Sequence, residues 1–386
     1  MNHRVVPHFL FASSFLISSV LSWGAPPVDV SIERLPEGAM QPRGAIGPDG
    51  AAHLIWLAGD PAACDVFYQV RPPGGARPGA AIRVNTEPGS AIAMGTVRGA
   101  QIALGKNGRV HVVWNSSGRT RTADRNTAAL LYTRSDAGGS RFEPERSLGA
   151  GTAHLDGGGD VAADDAGNVT AVWHAMPAGA EANETARRVF VARSRDQGES
   201  FAAAEPIGDP VGACGCCGLS ARAAGGGQVA VLFRSAKTKS ERDLTLMSSQ
   251  DGGKTFATAM LSPWATAQCP MSTAALLPAK QMMWAAWETE GKVLLASLPA
   301  GSDAAPKPFA SFGDRAKNPA LATNQRGEIL VVWTEGTGWQ RGGSIAWQVL
   351  DAAGQPIGKG GKQAGLPVWS FAAAYARANG DFVIVF

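Results

Sequence analysis

Charge is scarce in this sequence, and what there is nearly cancels. Only 17% of the 386 residues are Asp, Glu, Lys or Arg, and 35 basic residues against 32 acidic leave +3. The basic residues are scattered, with no run or stripe, so neither a nucleic-acid partner nor an anionic-membrane role is expected. Beyond the first two dozen residues no stretch reaches the ~18 consecutive apolar residues of a spanning helix, so no membrane span is expected after leader removal. Tyrosine occurs three times, which leaves few places for phenolic chemistry. Cysteine occurs five times, which permits at most two bridges and leaves one odd thiol.

The leader is where apolar residues concentrate. Met1 to Arg4 carries a basic residue, Val5 to Trp23 is apolar or small without an acid, and Ser22-Trp23-Gly24-Ala25 supplies small residues at a cleavage point. This pattern predicts a secretory signal peptide over 1–25, ending about Gly24 or Ala25, and a periplasmic or secreted chain. No cysteine follows closely, so a lipoprotein is not expected. Residues 26–386 are then read as one domain.

Repetition decides the fold class. A turn followed by a strand ending in an aromatic recurs at Gly50 to Trp56, Gly108 to Trp114, Gly167 to Trp173, Gly227 to Phe233, Gln281 to Trp287, Gly327 to Trp333 and Gly380 to Phe386. The aromatic ends are 58, 59, 60, 54, 46 and 53 residues apart. A period near 50 with several β-rich runs predicts an all-β propeller of four-stranded antiparallel blades, seven by repeat count with six held open. The last unit supplies only two strands, and Val28 to Arg34 could add one and close the ring.

A second repeat has the form S-x-D-x-G-x-[ST]-F. It reads Ser194, Asp196, Gly198, Ser200, Phe201 and again Ser249, Asp251, Gly253, Thr255, Phe256, with a worn copy from Ser135 to Phe142 that has Ala137 in the aspartate place. Short Ser and Asp side chains bond a turn's own backbone, glycine accepts positive φ, and the aromatic anchors the hairpin. Here the sequence resembles the Asp-box, or BNR-repeat, family typified by sialidases, over essentially the whole chain after the leader. The boxes and the strand-end aromatics are read as structural.

Blade geometry then sorts the loops. With strands a to d running outward, the a–b and c–d turns share one face, and the b–c loops and d–a crossovers share the other, where propellers bind. The second face should collect Asp60, Asn115, His174, Arg234, Glu288, Glu290 and Glu335 from the ends of b strands. It should also collect Arg43, Arg98, His154, Asp156, Asp160, Arg315 and Lys317 ahead of a strands, and Arg242 and Asp243 from blade 4.

The cysteines belong to that face. Cys214, Cys216 and Cys217 lie in the crossover into blade 4, Cys269 in the crossover into blade 5 beside Met271, and Cys64 in a distant b–c loop. An exported chain should bridge such thiols, with Cys269 joined to one of Cys214, Cys216 or Cys217, and with Cys214 and Cys217 as the first-named partners. The other readings are a soft-metal site, copper(I) with Met271 or zinc with a nitrogen ligand such as His174, and a redox-active pair.

The sialidase resemblance implies clustered arginines for a carboxylate, a carboxylic acid and a tyrosine nucleophile. Arg34-Leu35-Pro36 looks like the family's R-I-P motif but precedes the first inner strand, where Gln41-Pro42-Arg43 stands. Arg234 and Arg242 suit the arginine role, Asp60 and Glu288 the acid, and Tyr375 the late tyrosine, while Tyr68 and Tyr132 fall at packing positions. The expected role is a glycan-directed propeller, either an exo-α-sialidase-type hydrolase or a glycan binder with no cofactor. The alternatives are a periplasmic copper or thiol-redox module on Cys214, Cys216, Cys217 and Cys269, and a protein-binding platform.

Overall fold

The computed structural model describes Met1, 28–121, 129–137, 139–209, 211–279, 282–299 and 307–386. The expected signal peptide, apart from Met1, lies outside these residues.

Seven sheets surround one axis. Their innermost strands are Ala39–Ile46, Gln101–Leu104, Asp160–Ala163, Ser220–Ala223, Ala274–Ala279, Ala316–Thr323 and Ala373–Ala376, and each packs on the next until the seventh meets the first. Alanine is the commonest residue of these strands because seven backbones converge there. A β-carbon added at Gly44 would stand 2.8 Å from a Leu54 methyl. The second strands are sandwiched between neighbouring blades, so they are apolar on both faces. Val110–Asn115 and Val229–Arg234 are buried at every residue. The strand-end aromatics Trp114, Trp173, Phe233 and Trp287 are at most 1% exposed, as packing residues should be.

The ring has seven blades, not six. Six are four-stranded and antiparallel; blade 3 adds a short strand, Thr152–Ala153, on the end of its second strand. The seventh has three strands. Its outer strand is Val30–Glu33, which pairs in parallel with Phe382–Val385, from Val30 opposite Phe382 to Glu33 opposite Val385. The parallel direction follows from the path, because the chain must next enter the top of Ala39–Ile46. Leu35 N–H donates to the Phe386 carbonyl at 3.1 Å, extending the seam between the two ends of the propeller chain.

The serine–aspartate turns bind themselves and the blade before them. The Ser194 hydroxyl donates to Asp196 at 2.6 Å and accepts from Gly198 N–H at 2.8 Å, and the Asp196 carboxylate accepts from Ser200 N–H and hydroxyl at 3.0 and 2.5 Å. Ser249, Asp251, Gly253 and Thr255 repeat the pattern. In the copy read as worn, Asp136 does the work from one place earlier, accepting Ser140 N–H and hydroxyl, both at 2.8 Å. The Asp-to-Ser spacing of four is kept, so the whole ligating pair has slipped rather than decayed. Phe142 and Phe201 then meet Tyr68 and Tyr132 of the preceding blade edge-on, with centroids 5.4 and 4.8 Å apart. Both tyrosines are buried and bond His53 and His111 at 2.6 and 2.8 Å.

These turns also verify the assignment of faces. Gln197 N–H donates to Gly167 O at 2.9 Å, and Gly252 N–H to Gly227 O at 2.8 Å, so c–d and a–b turns of one blade are in contact. On that side the axial channel opens as a cavity of about 700 Å³ lined mainly by small and apolar residues of the inner strands. Three residues expected ahead of inner strands, Arg43, Asp160 and Lys317, instead lie within them. Asp160 is buried and accepts from Ala221 N–H and the Arg222 guanidinium at 2.8 and 2.9 Å, while Arg43 lies 4.0 Å over the Phe371 ring.

Candidate binding mouth and thiol cluster

The b–c loops and crossovers narrow the other end of the channel. Gln41, Thr96, Met271, Asn318 and Trp369 stand just before or at the start of five inner strands, and all have positive φ, between 47° and 67°. None is glycine, so each conformation is strained and must be held by neighbours. The restraints run from blade to blade. The Gln41 amide donates to Ala93 O and Trp369 O at 2.5 and 2.8 Å, and Asn318 accepts from Thr273 N–H at 3.1 Å while its own N–H meets the Ser272 hydroxyl at 3.3 Å. Lys317 donates to Pro270 O at 2.6 Å.

This ring surrounds a small cleft of about 50 Å³ lined by Thr96, Met271, Asn318, Trp339, Arg341 and Trp369. Trp339 is carried on the loop after the second strand of blade 6, closed by paired backbone bonds between Gly338 and Arg341. Its ring meets Trp369 edge-on at 6.0 Å, and it is 55% exposed. The strand-end tryptophans of the repeat are buried by comparison. Arg341 is exposed, and among the described residues no carboxylate pairs with it. Sequence reasoning missed both tryptophans because it treated tryptophan as repeat packing. The available signal was that Trp339 and Trp369 lie outside the repeat register.

The five residues named for hydrolysis do not form one site. Arg234, Arg242 and Glu288 are neighbours: Arg234 donates to the carbonyls of Arg242 (2.6 Å) and Glu288, and stacks 4.7 Å over Trp264. The Arg242 side chain bonds Glu184 at 2.6 Å. Both guanidinium groups are thus committed inside the protein. The Glu288 carboxyl is buried, with one oxygen accepting Gly291 N–H at 2.9 Å and the other without a partner, and burial raises its pKa. Asp60 stands on a distant blade, half exposed and paired with Arg119 at 3.1 Å. Tyr375 lies toward the opposite face. It bonds Glu33 at 3.4 Å beside Arg71 and Arg377, in a cavity shared with Gly50 and the c–d loop of blade 1, and burial raises its phenol to about 12.

The remaining rim residues are mostly engaged. Arg98 pairs with Asp156, Asp243 with Lys237 at 2.8 Å, and Glu335 with Lys362 at 2.6 Å. Asn115 donates to the carbonyls of Asp156 and Gly157 at 3.1 and 3.0 Å.

The cysteine cluster forms where the crossovers were expected to meet. The bridge joins Cys269 to Cys216, one of its three expected partners and the middle one, with α-carbons 6.5 Å apart. Cys214, Cys217 and Cys64 are buried free thiols, and burial pushes Cys64 up to about 12. The Cys214 sulfur lies 3.3 Å from both the Cys216 and the Cys217 sulfur. The hydrogen bond shared by the Cys214 and Cys217 thiols lowers the Cys217 pKa and raises that of Cys214. His174 does not face this cluster with a free nitrogen at Nε2; that N–H donates to Cys217 O at 2.9 Å, and burial depresses the imidazole to about 4. Glu184 supports the same loop by accepting Gly215 N–H at 3.2 Å, a role its position in the sequence did not suggest. Three sulfurs lie within 4.8 Å of one another, but with Cys216 bonded only two are thiols.

The sequence matches no protein-family model and no curated protein. Solved structures match the fold. An α-L-arabinanase of Penicillium chrysogenum, complexed with arabinobiose, aligns over 86% of this chain and 99% of its own at 12% identity and TM-score 0.56. The GH93 α-L-arabinofuranosidase of Fusarium graminearum aligns over 82% and 94% at 12% identity and TM-score 0.54. The Trypanosoma rangeli sialidase, in complex with the inhibitor DANA, aligns over 79% of this chain and 54% of its own at 13% identity and TM-score 0.50. The chain therefore has the propeller fold also found in these glycoside hydrolases.

Proposed function

We propose that this chain is an exported, glycan-directed propeller of the Asp-box kind that binds its sugar at the Trp339–Trp369 mouth without cleaving it. The observation that carries the reading is the exposed Trp339 ring held edge-on to Trp369 beside Arg341 at the end of the channel. A sugar ring presents an apolar C–H face to an aromatic and hydroxyls to its rim, and a rigid tryptophan loses little entropy in holding it. Arg341 adds a planar cation that no carboxylate pairs with among the described residues, which favours a sugar bearing a carboxylate. The arabinobiose and DANA complexes of the structural neighbours support a carbohydrate ligand.

Binding is favoured over hydrolysis by the placement of the acids. Cleavage through two carboxyls needs them facing one bond. Glu288 has a free oxygen, but Asp60, Asp160, Asp243 and Glu335 are each held by a cation, and Tyr375 lies toward the other face. The Cys216–Cys269 bridge supports the periplasmic or secreted assignment.

A screen of the leaderless chain against neutral and carboxylated oligosaccharides tests this. Wild type should bind a subset of carboxylated glycans without releasing product. Trp339→Ala should weaken that binding by about tenfold or more, while leaving the melting temperature unchanged. Absence of binding to every glycan, or full binding by the Trp339→Ala variant, would overturn the proposal.

A further inference from the structure

A staple between two crossovers needs only two cysteines, yet two more thiols are buried against this one. We propose that Cys214, Cys216, Cys217 and Cys269 form an intramolecular thiol–disulfide relay, which moves the bond from Cys216–Cys269 to the inner Cys214–Cys217 pair. The inference is independent of the glycan reading.

The geometry is that of a sulfur chain. Cys214 is central, 3.3 Å from the bonded Cys216 sulfur on one side and 3.3 Å from the Cys217 sulfur on the other. Each exchange therefore shortens one sulfur contact to a bond of about 2 Å. Cys214 and Cys217 are 1% and 3% exposed, so external thiols are kept from the attacking pair, whereas Cys269 is exposed. The turn that gathers them is tied down from several sides, by Cys217 N–H to Cys214 O, by His174 to Cys217 O and by Gly215 N–H to Glu184.

The chemistry balances without an outside reagent. As the Cys214 sulfur attacks Cys216, its proton is lost to water. The Cys216–Cys269 bond breaks and its electron pair leaves on Cys269, where water can solvate the thiolate. In the second exchange Cys217 attacks Cys214, and the electron pair leaves on Cys216, which takes the proton that Cys217 gives up. One disulfide is present before and one after. The outcome unlinks the crossovers into blades 4 and 5 and exposes a thiol two residues from Met271, which lines the mouth.

The test uses the leaderless chain purified without reductant and held under argon at about pH 8 with N-ethylmaleimide, followed by non-reducing digestion and mass spectrometry. Cys269 should become alkylated with time, while Cys214 is recovered in a disulfide with Cys216 or Cys217. Cys214→Ser should slow Cys269 labelling by about tenfold or more, and Cys217→Ser should stop the relay at a Cys214–Cys216 bond. Circular dichroism establishes that each variant is folded, and Cys214→Ala replaces the serine variant if that one is not. Three results would overturn the proposal. Cys269 could stay unlabelled while Cys214 and Cys217 remain thiols. Labelling could be equal in the Cys214 variant. Or the protein could be recovered with stoichiometric copper or zinc and no disulfide, which would make the cluster a metal site.

Discussion

Replacing Asp160 by alanine should destabilise the propeller by about 3–5 kcal/mol, the cost of breaking a buried ion pair from one side. The carboxylate is 1% exposed and opens the inner strand of blade 3. One oxygen accepts Val161 N–H at 2.7 Å, and the other accepts Ala221 N–H at 2.8 Å and Arg222 at 2.9 Å, both from the inner strand of blade 4. Its loss would remove the acceptor of the Val161 and Ala221 N–H groups and the carboxylate facing Arg222, which would keep only its bond to Ala221 O at 2.6 Å, at the junction of two blades. The Arg222 side chain is 29% exposed, and water in the channel offsets part of that loss, which places the expected value toward the lower end. Asp160→Asn keeps an acceptor for the amide and should cost about half as much. Urea unfolding of both variants checks this; a loss below about 1 kcal/mol for alanine would mean that Asp160 does not hold the blades together.

Cys269→Ser should cost about 4 kcal/mol. The Cys216–Cys269 bridge spans 53 residues, which include the whole of blade 4. In the chain-entropy account, closing such a loop restricts the unfolded chain by about that amount, with native-state strain able to reduce it. The variant should therefore melt several degrees lower than wild type, and dithiothreitol should lower the wild type to the same temperature without moving the variant. Equal melting of reduced and oxidised wild type would show that the bridge restrains nothing in the unfolded ensemble.

The parts of this molecule that repeat are legible in its sequence. Seven copies of a strand ending in an aromatic correspond to seven second strands, because a strand packed between two blades must be apolar on both faces. Cys269 was placed beside the Cys214–Cys217 turn by the repeat register, but the register could not choose among three cysteines within four residues. That choice depends on side-chain direction in an irregular turn. Asp136 escaped for a similar reason: a turn tolerates a one-residue slip of its ligating pair, and a fixed pattern does not. The strained residues of the mouth carried no mark, since Gln41, Thr96, Met271, Asn318 and Trp369 are held at positive φ by neighbouring blades and not by their own chemistry. Tyr375 was ambiguous because a four-residue inner strand spans from one face toward the other. Arg234 and Arg242 lie side by side, but their engagement with backbone carbonyls and Glu184 is invisible in one dimension.

The central claim is that the working surface is the face of the b–c loops and crossovers, with Trp339 and Trp369 at its focus. Hydrogen–deuterium exchange on residues 26–386, with and without a glycan that they bind, addresses this most directly. Slower exchange on ligand addition should be confined to 336–342 and 368–371, with the a–b turns at 47–51 and 323–327 unchanged. Protection at those a–b turns, around the open end of the channel, with none around Trp339, would contradict the account.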